Sequence, residues 1–149
     1  MVQKSGALLA LSYQEDEYYR NMGKMFYQAF GIEPPQLVPF FYLQEGDLSL
    51  GVKNKVNIKV LLTPGHSPGS ISLYWEDRKV LISGDVVFFS SVGRTDFPGG
   101  SSSLLRKSIE RLSQLDVDDI VPGHSTEVGN IISGKEKVKR NFQMVKMFI

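Results

Sequence analysis

"TPGHSPGSI", Thr63–Ile71, separates the apolar run "VLL" from the alternating stretch "SISLYW". Proline fixes φ and glycine admits conformations closed to other residues, so the segment is stiff and turns sharply. Such a loop presents His66 at the end of a strand, where open α/β sheets tend to bind their ligands. The second histidine, His124, stands in "DIVPGH", again directly after Pro-Gly, and "VLISGD" repeats the form with Asp85 in the corresponding place. Three apolar runs thus end in glycine turns followed by His, Asp and His. Neutral imidazole nitrogen and carboxylate oxygen suit zinc, iron or manganese. The residues alone leave a second reading open, because a histidine after Pro-Gly is also an ordinary turn residue and "GD" ends many strands in solvent. The threefold recurrence is what makes a candidate cluster.

Around these segments the pattern alternates between strand and helix. Ala7–Leu11 reads as a short buried strand. "SYQEDEYYRNMGKMFYQAFG" reads as one helix, with Ser12 as N-cap, Glu15 in the capping-box position and Gly31 as its stop. "FFYLQEGDLSLG" and "KVNIKVLLT" read as strands joined by a polar turn. "GSISLYWEDRKVLISGD" has the form of a β-hairpin turning at Glu76–Arg78. "SSSLLRKSIERLSQLD" reads as a serine-capped helix with Leu104, Leu105, Ile109, Leu112 and Leu115 on one face. "DDIVPGH" is a further strand, and "SGKEKVKRNFQMVKMF" a basic amphipathic helix. No repeat or linker interrupts the 149 residues, so the expectation is a single α/β (α+β) domain over residues 1–149.

Composition narrows the function. A net charge of +1 gives no electrostatic case for nucleic acid as a partner. The absence of cysteine excludes a disulfide framework, an iron–sulfur cluster and a thiol nucleophile, and makes a reducing cytoplasm the default expectation. No stretch approaches the roughly 20 apolar residues of a membrane span, so no membrane partner is expected.

The order "TPGHSPGSISLYW", "LISGDVVFFSSVGRTDFPGG", "VPGHST" resembles the metallo-β-lactamase superfamily, and within it the glyoxalase II-like hydrolases and the related persulfide dioxygenases. The likeness covers essentially the whole chain and is strongest from Leu62 to Glu127. It implies an αββα sandwich with metal held at one edge between two sheets. It also implies His66 as a ligand of one ion, His124 of a second, and Asp85 as the bridge between them. The implied cofactor is a divalent metal, zinc first, with iron or manganese as alternatives. "GRTDFPGG" adds Arg94 and Asp96, with Asp96 orienting a metal ligand and Arg94 fixing its loop or meeting an anionic substrate; a local Arg–Asp pair is the other reading. Lys135, Lys137, Lys139 and Arg140 lie where some relatives bind substrate, and also read as a solvated helix face.

The family's His-x-His-x-Asp-His element cannot be present, because the chain has only two histidines. The resemblance therefore implies an incomplete sandwich without its first strands or primary metal loop: a fragment, a late-assigned start or a natural short form. No complete catalytic set is expected, and His66, Asp85 and His124 should converge without holding a fully occupied binuclear centre. The function implied for the complete parent is hydrolysis of a thioester or ester by metal-activated water. An iron-dependent persulfide dioxygenase and a non-catalytic binding or oligomerising module are the alternatives. Uncovered sheet surface would favour self-association.

Overall fold

The computed structural model describes residues 5–125 and 131–149. The elements run β1 (Ala10–Ser12), α1 (Tyr13–Tyr18), a π-helical turn (Tyr19–Gly23), α2 (Lys24–Ala29), β2 (Phe41–Leu43), β3 (Gly46–Leu50), β4 (Val56–Leu62), β5 (Ile71–Trp75), β6 (Val80–Gly84), β7 (Val87–Phe88), β8 (Ser91–Val92), α3 (Ser102–Leu112), β9 (Asp119–Pro122), β10 (Ile132–Ser133) and α4 (Lys135–Val145). This is the mixed α/β architecture expected from the alternation of patterns.

The central sheet has six strands in the order β10-β9-β6-β5-β4-β3. Strands β3 to β6 form an antiparallel meander, whereas β6 and β9 are parallel. It follows that β4, β6 and β9 all point the same way, and the segments after them emerge at one edge. Those segments carry His66, Asp85 and His124.

Both faces of the sheet are apolar, for different neighbours. Register places Tyr74, Leu81, Ile120 and Ile132 in one row across four strands. All four are buried, in one core with Leu105, Ile109 and Leu112 of α3 and Val138, Phe142 and Val145 of α4. The opposite row carries Val60, Leu73, Ile82 and Val121. Val60 shares a crevice with Phe41, Tyr42 and Leu43 and is covered, but Ile82 is 41% exposed. A sheet apolar on both faces is built to be the middle layer of a sandwich.

Local signals worked where they were local. Ser12 caps α1 by accepting the Glu15 N–H at 3.1 Å, and Ser101 caps α3 by accepting the Leu104 N–H at 3.3 Å. Gly31, at φ 68°, ends α2 in a Schellman motif, with Ile32 N–H to Tyr27 C=O and Gly31 N–H to Gln28 C=O. The expected hairpin is β5–β6, turning through Glu76–Arg78 with Lys79 left-handed.

Four expectations are corrected. The first strand is Ala10–Ser12 rather than Ala7–Leu11. The single long helix is two α-helical segments either side of a π turn at Tyr19–Gly23, where the buried Tyr19 ring lies against Gly23. "FFYLQEGDLSLG" is two strands in different sheets: β2 pairs with β1, and β3 with β4. Gln44 and Glu45 lie between them, and β3 opens on Gly46 at φ 135°. Leu104 is 40% exposed, because it lies one residue, or about 100° of helix, from the buried Leu105.

Ile109 is fully buried between α3 and the sheet. Ile109→Ala is expected to lower stability by about 2–5 kcal/mol, and Leu104→Ala by under about 1 kcal/mol. Urea denaturation of the two variants measures the difference.

Candidate metal centre

The loop after β4 is stitched down on all sides. The Thr63 N–H donates to the Ser70 carbonyl, and Gly65 N–H to Ser67 carbonyl, closing the loop on itself. The Ser101 N–H donates to the Gly65 carbonyl, and Ser108 Oγ to the Pro64 carbonyl at 2.8 Å, fastening it to α3. Gly65 sits at φ 140° with its α-carbon against the backbone of Leu105; a Cβ there would stand 2.4 Å from Leu105 Cα. The glycines and prolines thus let a short loop pack backbone-to-backbone on a helix while carrying His66 outward.

His66 is then fixed at its ring. Its Nδ1 lies 2.9 Å from the Arg94 carbonyl oxygen. A carbonyl only accepts, so Nδ1 carries the proton, and in the neutral ring Nε2 keeps a bare lone pair. That Nε2 faces Asp85 Oδ2 at 3.6 Å. The other oxygen, Oδ1, lies 3.1 Å from His124 Nδ1. Asp85 thus stands between the two imidazoles, one at each oxygen.

Asp85 and His124 are brought together by the parallel strands beneath them. The Gly123 N–H donates to the Gly84 carbonyl at 2.8 Å, extending the pairing past the end of β9. Gly123 is needed for space rather than for a left-handed turn: a Cβ there would meet Asp85 Oδ1 at 2.2 Å. His124 also packs against Phe88, with ring centroids 5.4 Å apart. Asn141 of α4 holds the Phe88–Ser90 turn from behind, accepting the Ser90 N–H and donating to the Phe88 carbonyl.

The structure therefore brings all three strand-end residues together. The cluster forms the wall between two hollows. One, of about 640 Å³, is bordered by Tyr18, Phe26, Tyr27 and Phe97; the other, of about 500 Å³, by Phe88, Val92 and Arg94. His66 and Asp85 side chains are each 28% exposed and His124 is 66% exposed. Among the described residues, no group of three or more His, Asp or Glu side chains is arranged to hold a metal ion as it stands. The imidazoles rest on the carboxylate itself and leave no common centre. The donor chemistry nevertheless fits a cation: in the neutral ring, Nδ1–H is committed to the Arg94 carbonyl and Nε2 is a free donor 3.6 Å from a carboxylate oxygen.

Arg94 and Asp96 form a two-point ion pair, Nε to Oδ1 at 2.8 Å and a second guanidinium nitrogen to Oδ2 at 2.6 Å. Each Asp96 oxygen accepts one bond from Arg94, as the local-pair reading expects. The group that orients His66 is the Arg94 backbone carbonyl, which no side-chain motif advertises. Lys135 belongs to a different place, where it and Lys79 hold Asp116. Glu15 also borders the larger hollow, a position its capping-box spacing did not announce. Thr126 to Asn130, the segment that ends the "VPGHST" motif, lies outside the described residues.

The sequence matches the family described as Metallo-beta-lactamase superfamily over residues 3–124, and the chain belongs to that superfamily. A relative from Bacillus subtilis, named probable metallo-hydrolase YqgX, is 44% identical over 91 residues, covering 60% of this chain and 43% of that protein. A Haemophilus influenzae relative, named hydroxyacylglutathione hydrolase GloC, is 36% identical over 106 residues, covering 66% of this chain and 48% of that protein. The chain thus spans about half the length of the curated relatives it matches. Among solved structures, TTHA1623 in a di-iron-bound form superposes with a TM-score of 0.67 at 30% identity, covering 84% of this chain and 61% of that one.

The Arg94 guanidinium holds the Asp96 carboxyl well below its ordinary value, at about 2. A depressed carboxylate contributes fully above the ordinary carboxylate range and loses its contribution as pH falls towards the folded value. The pair is therefore expected to survive until pH falls from about 4 towards 2. The carboxyl ¹³C shift of Asp96 should titrate near the low end, and Arg94→Gln should return it towards the ordinary range.

Proposed function

We propose, from membership of the superfamily, that His66, Asp85 and His124 are metal ligands of a hydrolase acting on thioesters or esters. The observation that carries the reading is the convergence of His66 Nε2 and His124 Nδ1 on the two oxygens of Asp85. A divalent ion held there would supply Lewis acidity and lower the pKa of a water it binds. The residues themselves do the rest. Asp85, with one oxygen towards each imidazole, suits a bridging position. The Arg94 carbonyl holds the Nδ1 proton of His66 and so presents Nε2 as the ligand atom, the usual arrangement around a metal-bound histidine. Phe88 packs against the His124 ring and steadies it.

Zinc, iron and manganese all suit this nitrogen and oxygen set. The di-iron form of TTHA1623 supports iron as strongly as the donor set supports zinc. The thioester class is supported by the relative named hydroxyacylglutathione hydrolase. A catalytic zinc site commonly takes three protein ligands and an open position. Two imidazoles and one carboxylate shared between two ions fall short of that for each ion. The chain by itself is therefore proposed to hold fewer than two ions tightly and to turn over little substrate.

Equilibrium dialysis against zinc, iron(II) and manganese tests this directly. Binding of less than two ions per chain is expected, weakened about tenfold or more by His66→Ala and by Asp85→Asn. The weak hydrolysis of an acyl-thioester panel expected of the metal-loaded chain should fall to background in His66→Ala. Binding unaffected by both substitutions would overturn the ligand assignment, and two tightly held ions on one chain would overturn the ligand count.

A further inference from the structure

The loop that carries His66 has a second anchor, on α1. The Glu15 carboxylate, in the first turn of α1, accepts through Oε2 from Ser67 Oγ at 2.5 Å and from the Gly69 N–H at 3.1 Å. Ser70 Oγ lies 2.7 Å from Ser67 Oγ and accepts the Ser67 N–H at 3.1 Å. Ser70 therefore donates to Ser67, and Ser67 to Glu15, in one direction along the chain of hydroxyls. Ser12, the cap of the same helix, donates to the Gly69 carbonyl at 2.6 Å. The backbones touch: a Cβ on residue 69 would stand 2.1 Å from the Glu15 nitrogen. One helix turn thus grips residues 67 and 69, immediately after the histidine.

A capping-box glutamate would return to its own N-cap N–H. Here the carboxylate instead reaches 52 and 54 residues along the chain. A carboxylate that accepts a hydroxyl and an amide from a loop limits where that loop can move. The Arg94 carbonyl restrains the ring of His66, while its backbone is held before the histidine by α3, through Pro64 and Gly65, and after it by α1, through Ser67 and Gly69.

We propose that Glu15 is a positioning residue for His66, acting through Ser67 and the Gly69 amide to hold the PGHSPG loop in the conformation that aims Nε2 at Asp85. Its consequence for metal binding rests on the metallohydrolase reading above; the clamp itself does not. Outer-shell partners of metal ligands typically carry about 10–100-fold in affinity.

The test uses Glu15→Ala and Glu15→Gln in the full chain, each checked for folding by circular dichroism. Gln retains a neutral oxygen able to accept both bonds. The first readout needs no metal: exchange of the His66 Nδ1 proton and the Gly69 amide, followed by NMR. Glu15→Ala is expected to speed both about tenfold or more, leave the Tyr74 amide in the sheet unchanged, and be largely restored by Glu15→Gln. The second readout is cobalt(II) affinity, expected to fall about 10–100-fold in Glu15→Ala and within about threefold of the parent in Glu15→Gln. Unchanged exchange at His66 and Gly69 in a folded Glu15→Ala chain overturns the clamp. Glu15→Gln failing as badly as Glu15→Ala overturns it too, because the negative charge rather than the hydrogen-bond geometry would then be needed. If the parent chain binds no cobalt, the ligand assignment fails while the exchange readout still decides the clamp.

Discussion

Strands β4, β6 and β9 run in one direction, and this sets the demands on each residue of the cluster. β6 and β9 are neighbours, so Asp85 and His124 leave the sheet about 4.8 Å apart and need only one extra backbone bond, Gly123 N–H to Gly84 C=O, to meet. β4 lies two strands from β6, with the start of β5 between them. His66 must therefore be carried roughly 10 Å sideways over that start. A mobile loop of this length would lose the histidine to many positions, each favoured by conformational entropy. The prolines, the glycine packing on Leu105 and the serine hydrogen bonds remove those alternatives. The stiffness of Thr63–Ile71 is the consequence of topology rather than of metal chemistry.

The two apolar faces of the sheet explain where such a site can exist at all. Helices α3 and α4 close one face with fully buried Leu105, Ile109, Leu112 and Val145. The other face retains Leu73, Ile82 and Val121 in partial contact with solvent. Surface of that kind is stable when another layer covers it. His66, Asp85 and His124 stand where β4, β6 and β9 end, bordering both open hollows.

Legibility followed the range of the interaction. Caps, the Gly31 stop, the β5–β6 hairpin and the α3 apolar stripe depend on residues within four or five positions, and the sequence shows them. The convergence of three strand ends was readable because one short pattern recurs three times. What was hidden is non-local or made by backbone. The Arg94 carbonyl that orients His66 could belong to any residue type, so its sequence carries no trace. Glu15 was noticed for the wrong partner: its spacing from Ser12 is right for a capping box, but the carboxylate bonds to a loop that only tertiary structure brings near. The break inside "FFYLQEGDLSLG" was missed because alternation continues across Glu45 and Gly46 although the two halves pair with different sheets. Glu45 has a task there that no local pattern reveals: it accepts the Leu62 N–H and pairs with Arg111 of α3.

The electrostatics of Asp85 connect these observations. A carboxylate between two imidazoles is stabilised if at least one ring presents a proton or if a cation lies between them. His124 can present Nδ1–H to Oδ1 at 3.1 Å. His66 in its neutral form has no proton to present to Oδ2, because the Arg94 carbonyl has taken the Nδ1 proton and Nε2 is bare. The same backbone bond that fixes the ring therefore leaves one side of Asp85 short of positive charge. The fold holds this arrangement through the α3 contacts, the Glu15 clamp and the β6–β9 pairing, none of which depends on the charge being supplied. With the His66 ring neutral, the scaffold sets a nitrogen lone pair opposite a carboxylate, a pairing of donors that suits a cation.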